Sequence, residues 1–512
     1  MNRVRRKLVL AIDQGTTSTR CITFDNRGSI AHSAFQEFPQ IYPQPGWVEH
    51  NPEDIYESVV SCIGRLNLDT SDEIVSVGIT NQRETIVAWD RFTGKPFHNA
   101  LVWLDTRTND LVQKQIEKHP QGVNQYRKIT GLPISTYFSS MKIKWLIENV
   151  PAVTEALATE SCCFGTIDSF LANRLSNGRL HVTDCTNASR YNLMDIRTLC
   201  WSEEVCKSLG IPISSLPRII SNAEPVGHIT AIPSLNGIPI TSLIGDQHAA
   251  LLGHGCVEKN QCKITYGTGC FLLMNTGEDP SESASGSLLT TLAFQLGQNA
   301  SPRYALEGSV AAAGRSVQWA KENLRIGDDL KEFNDIASSV EDTCGVTFVP
   351  AFSGLFAPYW RDDARAIIVG MSLRASYRHI ARAILEATAM QCAEVVKVIQ
   401  SDAALPPNSF RSIVTDGGMT KSDLLMKIQA DLLNVEVIRT RMTETTAFGA
   451  AYAAGLSIGF WGDVSLDTIK QHQGGYDSFL PSMNEKDRRK TFLRWEDAVS
   501  RSFDLAKFSN SD

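Results

Sequence analysis

The sequence predicts an α/β protein divided into two lobes, and three observations carry this prediction. The chain has 512 residues, which is more than one hydrophobic core usually supports. Short apolar runs bounded by turns alternate with segments of helical periodicity. A turn containing glycine and threonine joins two predicted strands in each half of the chain, which agrees with two similar lobes.

Predicted strands begin close to the start of the sequence. Apolar residues 8–12 and 21–24 flank a polar, glycine-containing loop, and a further turn follows at 25–28. This pattern predicts a three-stranded meander. A second strand-turn-strand unit is predicted over residues 74–89, with the polar residues 81–84 between its two apolar runs.

The second half opens with a similar pattern. Predicted strands at 262–266 and 270–274 flank the turn at 267–269, which reads Gly-Thr-Gly. Apolar residues at helical spacing follow from Ile380 and again from Leu424, so helices are predicted there.

A loop after a buried strand is a further candidate for ligand binding. Residues 416–418, Asp-Gly-Gly, connect the apolar run 412–415 to a predicted helix. Ligands of α/β sheets bind at such strand ends. The boundary between the lobes is predicted near 257–261. The expected lobes therefore comprise residues 1–257 and 258–512.

Composition excludes several classes of protein. The chain is 43% hydrophobic and 21% charged, with a net charge of -7, which is typical of a soluble globular protein and not of a disordered one. The basic residues between positions 3 and 7 run straight into the first apolar run, so we interpret them as the flank of a strand and expect no nucleic-acid partner.

Targeting signals also give a negative result. The first apolar run ends at Asp13, too early for the core of a signal peptide, and no run approaches the roughly 18 apolar residues of a membrane-spanning helix. Residues 509–512 are not the peroxisomal tripeptide. We expect a cytoplasmic enzyme without membrane insertion, and a peroxisome-like organelle stays open.

Cysteine and histidine spacing argues against zinc sites and disulfide bonds. The twelve cysteines include no CxxC pair, so we expect reduced thiols, many of them buried. His248 and His254 are six residues apart and lack the HExxH frame of zinc hydrolases.

The loop at residues 13–20, Asp-Gln-Gly-Thr-Thr-Ser-Thr-Arg, contains the groups that hold phosphate. Gly15 lets the backbone approach an anion, the hydroxyl residues donate hydrogen bonds, and Arg20 adds positive charge. Asp13, at a strand end, is placed to hold a hydrated magnesium ion. A simple hairpin with solvated threonines is the alternative. No GxxxxGK[ST] or GxGxxG motif occurs.

Asp246 is a candidate for catalysis. It follows the apolar pair Leu243-Ile244 and precedes the helix-like residues 249–252. On local sequence, capping of that helix is at least as good an interpretation of the carboxylate.

These motifs resemble those of the FGGY carbohydrate kinases, relatives of actin. They stand in family order from about residue 8 to residue 460: the first phosphate motif at 13–20, the first signature at 137–149, the second phosphate motif at 267–269, the adenosine motif at 415–418, and the second signature at 429–431 with 444–451.

The resemblance implies a fold and an activity. The family fold has two ribonuclease-H-like lobes, the actin-like ATPase arrangement, with a central active-site cleft. Residues 42–50, 79–85 and 182–190 are similar to glycerol-phosphorylating members. The expected reaction is ATP + glycerol = ADP + sn-glycerol 3-phosphate, with Mg²⁺ as cofactor and a homodimer as the assembly. A sugar kinase such as xylulokinase and a non-catalytic actin-like scaffold are the alternatives.

The resemblance also implies the site residues. Asp246 is the expected catalytic base, and Asp13 is expected to hold Mg²⁺ through water. The expected glycerol residues are Arg83, Glu84, Trp103, Tyr137, Asp246, Gln247 and Phe271. The expected ATP or ADP residues are Thr16, Thr17, Ser18, Arg20, Gly267, Thr268, Gly269, Gly314, Gln318, Gly417, Gly418 and Ser422. Ser422 departs from the family pattern, because many relatives have asparagine there.

Overall fold

The computed structural model describes residues 5–406, 409–462 and 475–506. Arg3 and residues 509–512, which entered the sequence interpretation, lie outside the described residues. The strands are β1 Arg6–Gln14, β2 Ser18–Phe24, β3 Ile30–Glu37, β4 Glu49–His50, β5 Asp72–Asn81, β6 Ile86–Asp90, β7 Ala100–Leu101, β8 Cys162–Thr166, β9 Val182–Asp184, β10 Met194–Asp195, β11 Cys200–Trp201, β12 Arg218–Ile220, β13 Gly227–His228, β14 Pro239–Gly245, β15 Cys262–Tyr266, β16 Cys270–Gly277, β17 Leu289–Phe294, β18 Arg303–Val310, β19 Thr347–Val349, β20 Ile367–Val369, β21 Ser412–Asp416, β22 Glu436–Thr440 and β23 Tyr476–Phe479.

The helices alternate with these strands. They are α1 Pro52–Gly64, α2 Asn109–Lys118, α3 Arg127–Thr130, α4 Ser139–Asn149, α5 Pro151–Ala158, α6 Ile167–Leu175, α7 Cys185–Ala188, α8 Glu203–Leu209, α9 Asp246–Gly253, α10 Gly314–Leu324, α11 Leu330–Ser338, α12 Tyr377–Asp402, α13 Asp423–Leu433, α14 Thr445–Ser457 and α15 Glu485–Arg501. Single 3₁₀ turns lie at Gly122–Asn124, Ile213–Ser215, Pro233–Leu235 and Gly418–Lys421.

Two large sheets repeat one topology. In the first, of order β13-β14-β5-β1-β2-β3, the central strand β1 pairs antiparallel with β2 and parallel with β5. In the second, of order β17-β18-β16-β15-β21-β22-β23, β15 pairs antiparallel with β16 and parallel with β21. Each sheet thus has a hairpin on one side of its first strand and parallel strands on the other, as two similar lobes require.

The two predicted hairpins are confirmed. In the first, Asp13 lies opposite Arg20, and β3 completes the expected meander. In the second, Thr265 lies opposite Phe271. The helices expected near Ile380 and Leu424 are α12 and α13.

The second predicted strand-turn-strand unit, over residues 74–89, is present, but its two strands do not pair with each other. Both strands exist, but β5 belongs to the first large sheet, whereas β6 pairs with β7 and β8 in a separate four-stranded sheet. Residues 82–85 therefore connect two sheets, and Glu84 adopts a φ of 60° within this link. Periodicity identifies a strand but not its partner, so the sequence did not specify this arrangement.

A helix from late in the chain joins the two lobes. α14 packs against α9 and against β1 and β5 of the first sheet. One buried cluster contains Val9 from β1, Leu251 from α9, Phe448 from α14 and Leu273 from β16. The hydrophobic core is thus continuous across residue 257, and the lobe boundary at that position stays a prediction.

Two glycines let α9 and α14 approach closely. A Cβ at Gly449 would lie 1.9 Å from the backbone oxygen of Ala249, and one at Gly253 would lie 2.1 Å from that of Thr445. Each helix therefore presents a glycine to the backbone of the other, because no side chain fits between them.

The remaining expectations concern thiols and membranes. Ten of the twelve cysteines are buried, as expected. Within residues 5–406, 409–462 and 475–506, no helix is both long and apolar enough to cross a membrane.

We expect Gly449→Ala to lower the free energy of unfolding by about 1–3 kcal/mol, because the added methyl forces α9 and α14 apart. Chemical denaturation monitored by circular dichroism measures this. Gly64→Ala, in α1, is the matched control, since its Cβ would meet no atom within 4 Å. Equal stability of the two variants would show that the helix crossing tolerates a side chain.

Candidate active site in the cleft between the lobes

A large cavity opens between the two sheets. Its volume is about 770 Å³, within the size range of small-molecule sites. Asp13 and Arg20 from the first hairpin line one side, and residues following β21 and β22 line the other. A cavity of small-molecule size therefore lies where the cleft was predicted.

The first phosphate loop is a tight, supported turn. The Gly15 amide donates to the Ser18 carbonyl at 2.9 Å, which closes the hairpin. The Gln82 side chain donates to the Gly15 carbonyl at 3.1 Å. Thr17 is exposed and Thr16 partly so, so their hydroxyls and backbone amides are accessible to a ligand.

The second phosphate loop is fixed to the start of α10. The Gly267 amide donates to the Gly269 carbonyl at 2.9 Å, and the Gly314 amide donates to the Gly267 carbonyl at 3.0 Å. A Cβ at Gly269 would lie 2.3 Å from the Val310 carbonyl oxygen, so this position requires glycine. Thr268 is exposed at the tip.

The predicted adenosine residues are only partly brought together at the cavity. Gly417 and Gly418 line it, and Gly417 has a φ of 93° with no room for a Cβ beside the Tyr266 backbone. Ser422 is buried, and its hydroxyl accepts from the Leu425 amide at 3.0 Å as the N-cap of α13. Gln318 is exposed and donates to Glu322. Neither Ser422 nor Gln318 nor Gly314 lines the cavity.

Three aromatic rings from distant segments meet beside the first phosphate loop. The Trp103 ring lies 5.7 Å from that of Tyr137 and 6.0 Å from that of Phe271. The indole nitrogen of Trp103 donates to the Thr16 hydroxyl at 3.0 Å. The expected apolar wall for a small polyol is therefore attached directly to the phosphate loop.

A buried network of charges lies next to these rings. Both terminal nitrogens of Arg83 donate to Glu307, at 2.6 and 2.8 Å, and its Nε lies 3.4 Å from Asp246. Arg190 donates to Glu84 at 2.5 Å and lies 3.4 Å from Glu307. The Arg190 guanidinium is also 5.5 Å from the Tyr137 ring centre. The predicted glycerol residues thus form one cluster.

Charge balance sets the ionisation of Glu307. Burial alone would raise its pKa, but Arg190 and Arg83 outweigh burial and hold the pKa of Glu307 well below its usual range. The carboxylate therefore stays ionised, which keeps the charged hydrogen bonds to Arg83 intact.

Asp246 opens α9 but does not cap it. The N-cap is Gly245, and Asp246 accepts a hydrogen bond from the Gln247 amide at 2.6 Å. Burial raises the pKa of Asp246, while the positive charge of Arg83 opposes the increase. Its side chain retains 27% of its exposure, so the carboxylate is accessible from solvent, as a reacting group must be.

Asp13 is desolvated and surrounded mainly by acids. Its pKa is raised to about 7, chiefly by burial; Arg20 opposes the increase, and Asp246 and Glu444 add to it. The side chain lines the cavity. A group in this environment gains from a nearby cation.

The sequence interpretation missed three charged residues of this site. Glu307, Arg190 and Lys263 are 0% exposed, and Lys263 donates to Gln247 at 2.5 Å. Glu307 and Lys263 are the charged residues inside buried strands, β18 and β15, and a lone charge within an apolar strand was the available signal.

We expect Glu307→Gln to lower the free energy of unfolding by roughly 3–5 kcal/mol, because it breaks a buried ion pair and removes the carboxylate that accepts from both terminal nitrogens of Arg83. Because the folded pKa of Glu307 lies below the unfolded value, its contribution is complete above the unfolded pKa and is lost as the pH falls through the folded pKa. The loss in stability should therefore be constant between about pH 6 and 8 in urea titrations.

Glu282→Gln is the matched control for that measurement. Glu282 pairs with Arg197 at 2.8 Å, but both side chains are about half exposed, so we expect a change below about 1 kcal/mol. A Glu307 variant as stable as this control would contradict the role given to the buried pair.

Known proteins resemble the chain over nearly its whole length. The glycerol kinase of Acidiphilium cryptum (strain JF-5) is 47% identical over 504 residues, 97% of this chain and 99% of that protein. The crystal structure of Plasmodium falciparum glycerol kinase with ADP has a TM-score of 0.91 at 40% identity, covering 98% of this chain and 99% of that one. Gluconate kinase from Lactobacillus acidophilus, at 22% identity, a TM-score of 0.86, and 98% and 100% coverage, shares the fold alone.

The family domains agree with these similarities. Residues 8–253 match the N-terminal domain of the FGGY carbohydrate kinases, and residues 262–458 match their C-terminal domain. The fold class expected from the motifs, two actin-like ATPase lobes, is therefore confirmed. On these matches, the chain belongs to the FGGY family of carbohydrate kinases.

Proposed function

We propose that this chain transfers the γ-phosphoryl group of ATP to a terminal hydroxyl of glycerol, giving ADP and sn-glycerol 3-phosphate. One observation carries the proposal: the cluster of predicted glycerol residues, which we call the polyol cluster, adjoins the predicted phosphate loops. Arg83 lies 3.4 Å from Asp246, and Trp103 is bonded to Thr16. Two relatives named as glycerol kinases, 47% and 40% identical, support glycerol as the acceptor.

The cluster has the groups that a three-carbon polyol requires. In this proposal, Arg83, Glu84 and Gln247 hydrogen-bond the hydroxyls. Their geometry is already fixed, since Arg83 is held by Glu307 and Glu84 by Arg190. The rings of Trp103, Tyr137 and Phe271 cover the carbon atoms. A site with few, pre-oriented polar groups and an apolar wall favours one small substrate.

Asp246 is the proposed general base. It accepts the proton of the attacking hydroxyl, and its raised pKa makes it a better base than an exposed carboxylate. Thr16, Thr17, Ser18 and Arg20 and the turn of Gly267, Thr268 and Gly269 hold the phosphates, so that the acceptor and the γ-phosphorus are aligned. Alignment and charge stabilisation are what phosphoryl transfer mainly asks of a protein.

Asp13 is the proposed magnesium residue. Its desolvated carboxylate, near Asp246 and Glu444, suits a hydrated divalent cation. Magnesium, when bound, supplies positive charge to the phosphates. Of the nucleotide residues, Gly417 and Gly418 face the cavity. Adenosine contacts at Gly314, Gln318 and Ser422, the homodimer and the cytoplasmic location stay predictions.

The proposal is tested by a coupled ADP-release assay with glycerol, xylulose, gluconate and dihydroxyacetone as acceptors. We expect kcat/KM for glycerol to exceed that for the others by at least about tenfold, the worth of one well-placed hydrogen bond. A higher kcat/KM for another acceptor would show that glycerol is not the preferred substrate. ADP release at the same rate with every acceptor would contradict the assignment as a kinase.

We expect Asp246→Asn to lower kcat by about 10²- to 10⁴-fold, the usual contribution of a positioned general base, with ATP binding retained. Steady-state kinetics and calorimetric titration of ATP measure the two effects. Asp110→Asn is the matched control, since Asp110 is also in the first turn of a helix but is exposed. Equal turnover of both variants would assign Asp246 to a structural role.

A further inference from the structure

Lys263 is a buried cation that the proposed mechanism does not use. It lies on β15, the first strand of the second large sheet, and is 0% exposed. Its ammonium donates to the Gln247 carbonyl oxygen Oε1 at 2.5 Å and to the Thr265 hydroxyl at 2.6 Å. It forms no direct ion pair with a carboxylate of the described chain. A buried charge with only neutral partners is costly, which calls for a functional reason.

Chemistry fixes the orientation of the Gln247 side chain. An ammonium group has three donors and no acceptor, so only the amide oxygen of Gln247 can face it. The amide nitrogen Nε2 must then point the other way. Gln247 is half-buried and follows Asp246 at the start of α9, and no acceptor for Nε2 is found in residues 5–406, 409–462 or 475–506.

The contact also crosses between the lobes. Gln247, on α9, belongs to the first half of the chain, whereas Lys263, on β15, belongs to the second. Lys263 and Thr265 point from the same face of β15. Thr265 pairs with Asp416 of β21, and both residues line the cavity. Lys263 therefore connects the polyol side of the cleft with the nucleotide side. Carboxylates at Asp416 and Asp246 offset part of the burial cost of its charge.

We propose that Lys263 is a positioning residue that locks the Gln247 amide so that its NH₂ group donates to a hydroxyl oxygen of the polyol beside Asp246. This inference rests on the proposed function, because it assigns one donor of the glycerol site. Without Lys263, the amide can rotate and present either its oxygen or its nitrogen, which weakens recognition of the hydroxyl.

The first test is the variant Lys263→Met, which keeps the length of the side chain and removes the ammonium. We expect KM for glycerol to rise about tenfold or more, the range for a hydrogen bond in a buried site, while KM for ATP changes less than about twofold. Tyr266→Phe is the matched control: it lies on the same buried strand and loses one buried hydrogen bond, to Gln429. It should leave both KM values unchanged.

A double-mutant cycle separates positioning from general structural support. In a Gln247→Leu background, Lys263→Met should raise KM for glycerol by no more than about twofold, since residues that act through one another are non-additive. If the Lys263 effect is the same size in both backgrounds, Lys263 does not act through Gln247 and the inference is overturned.

Gln247→Glu supplies a test that does not depend on removing the buried charge. The new carboxylate still accepts from Lys263 but has no N–H group, so thermal stability should be retained while KM for glycerol rises as in Gln247→Leu. A wild-type KM in this variant would show that the donor is not used. Failure of the wild-type enzyme to phosphorylate glycerol would instead overturn the proposed function, so the two failures are distinguishable.

Discussion

The buried ion pair between Arg83 and Glu307 is the constraint on which the polyol cluster depends. Arg83 comes from the link between two sheets of the first half, and Glu307 comes from β18 of the second large sheet. Neither ion is solvated, so each requires the other at hydrogen-bond distance. The pair therefore fixes where the lobes meet and holds the guanidinium 3.4 Å from Asp246.

The site combines carboxylates that accept hydrogen bonds from an arginine with carboxylates that do not. Glu84 and Glu307 have arginine partners within the protein. Asp13 lines the cavity and Asp246 is partly exposed, and burial raises the pKa of both. The first set is rigid before any ligand arrives. The second set gains most when a cation or a proton reaches it, which agrees with the roles proposed for Asp13 and Asp246.

The repeated topology explains how the two predicted phosphate loops come to hold equivalent positions in the two lobes. In each lobe, the loop is the turn of a hairpin built on the central strand. Packing α14 against α9 at two glycines brings the cores of the lobes into a single cluster. Gluconate kinase shows the same fold with another named substrate. Substrate choice belongs to the side chains in the cleft.

The sequence by itself determined the α/β class, both hairpins, the helices near Ile380 and Leu424, and the family, because these depend on local periodicity, turn residues and ordered motifs. It identified most of the residues now proposed for the cleft. Only the tertiary structure decided that β5 and β6 lie in different sheets, that Ser422 caps α13, and that Glu307 and Lys263 enter the site. Those features are contacts between segments far apart in the chain, and no local pattern specifies the partner of a strand or of a buried charge.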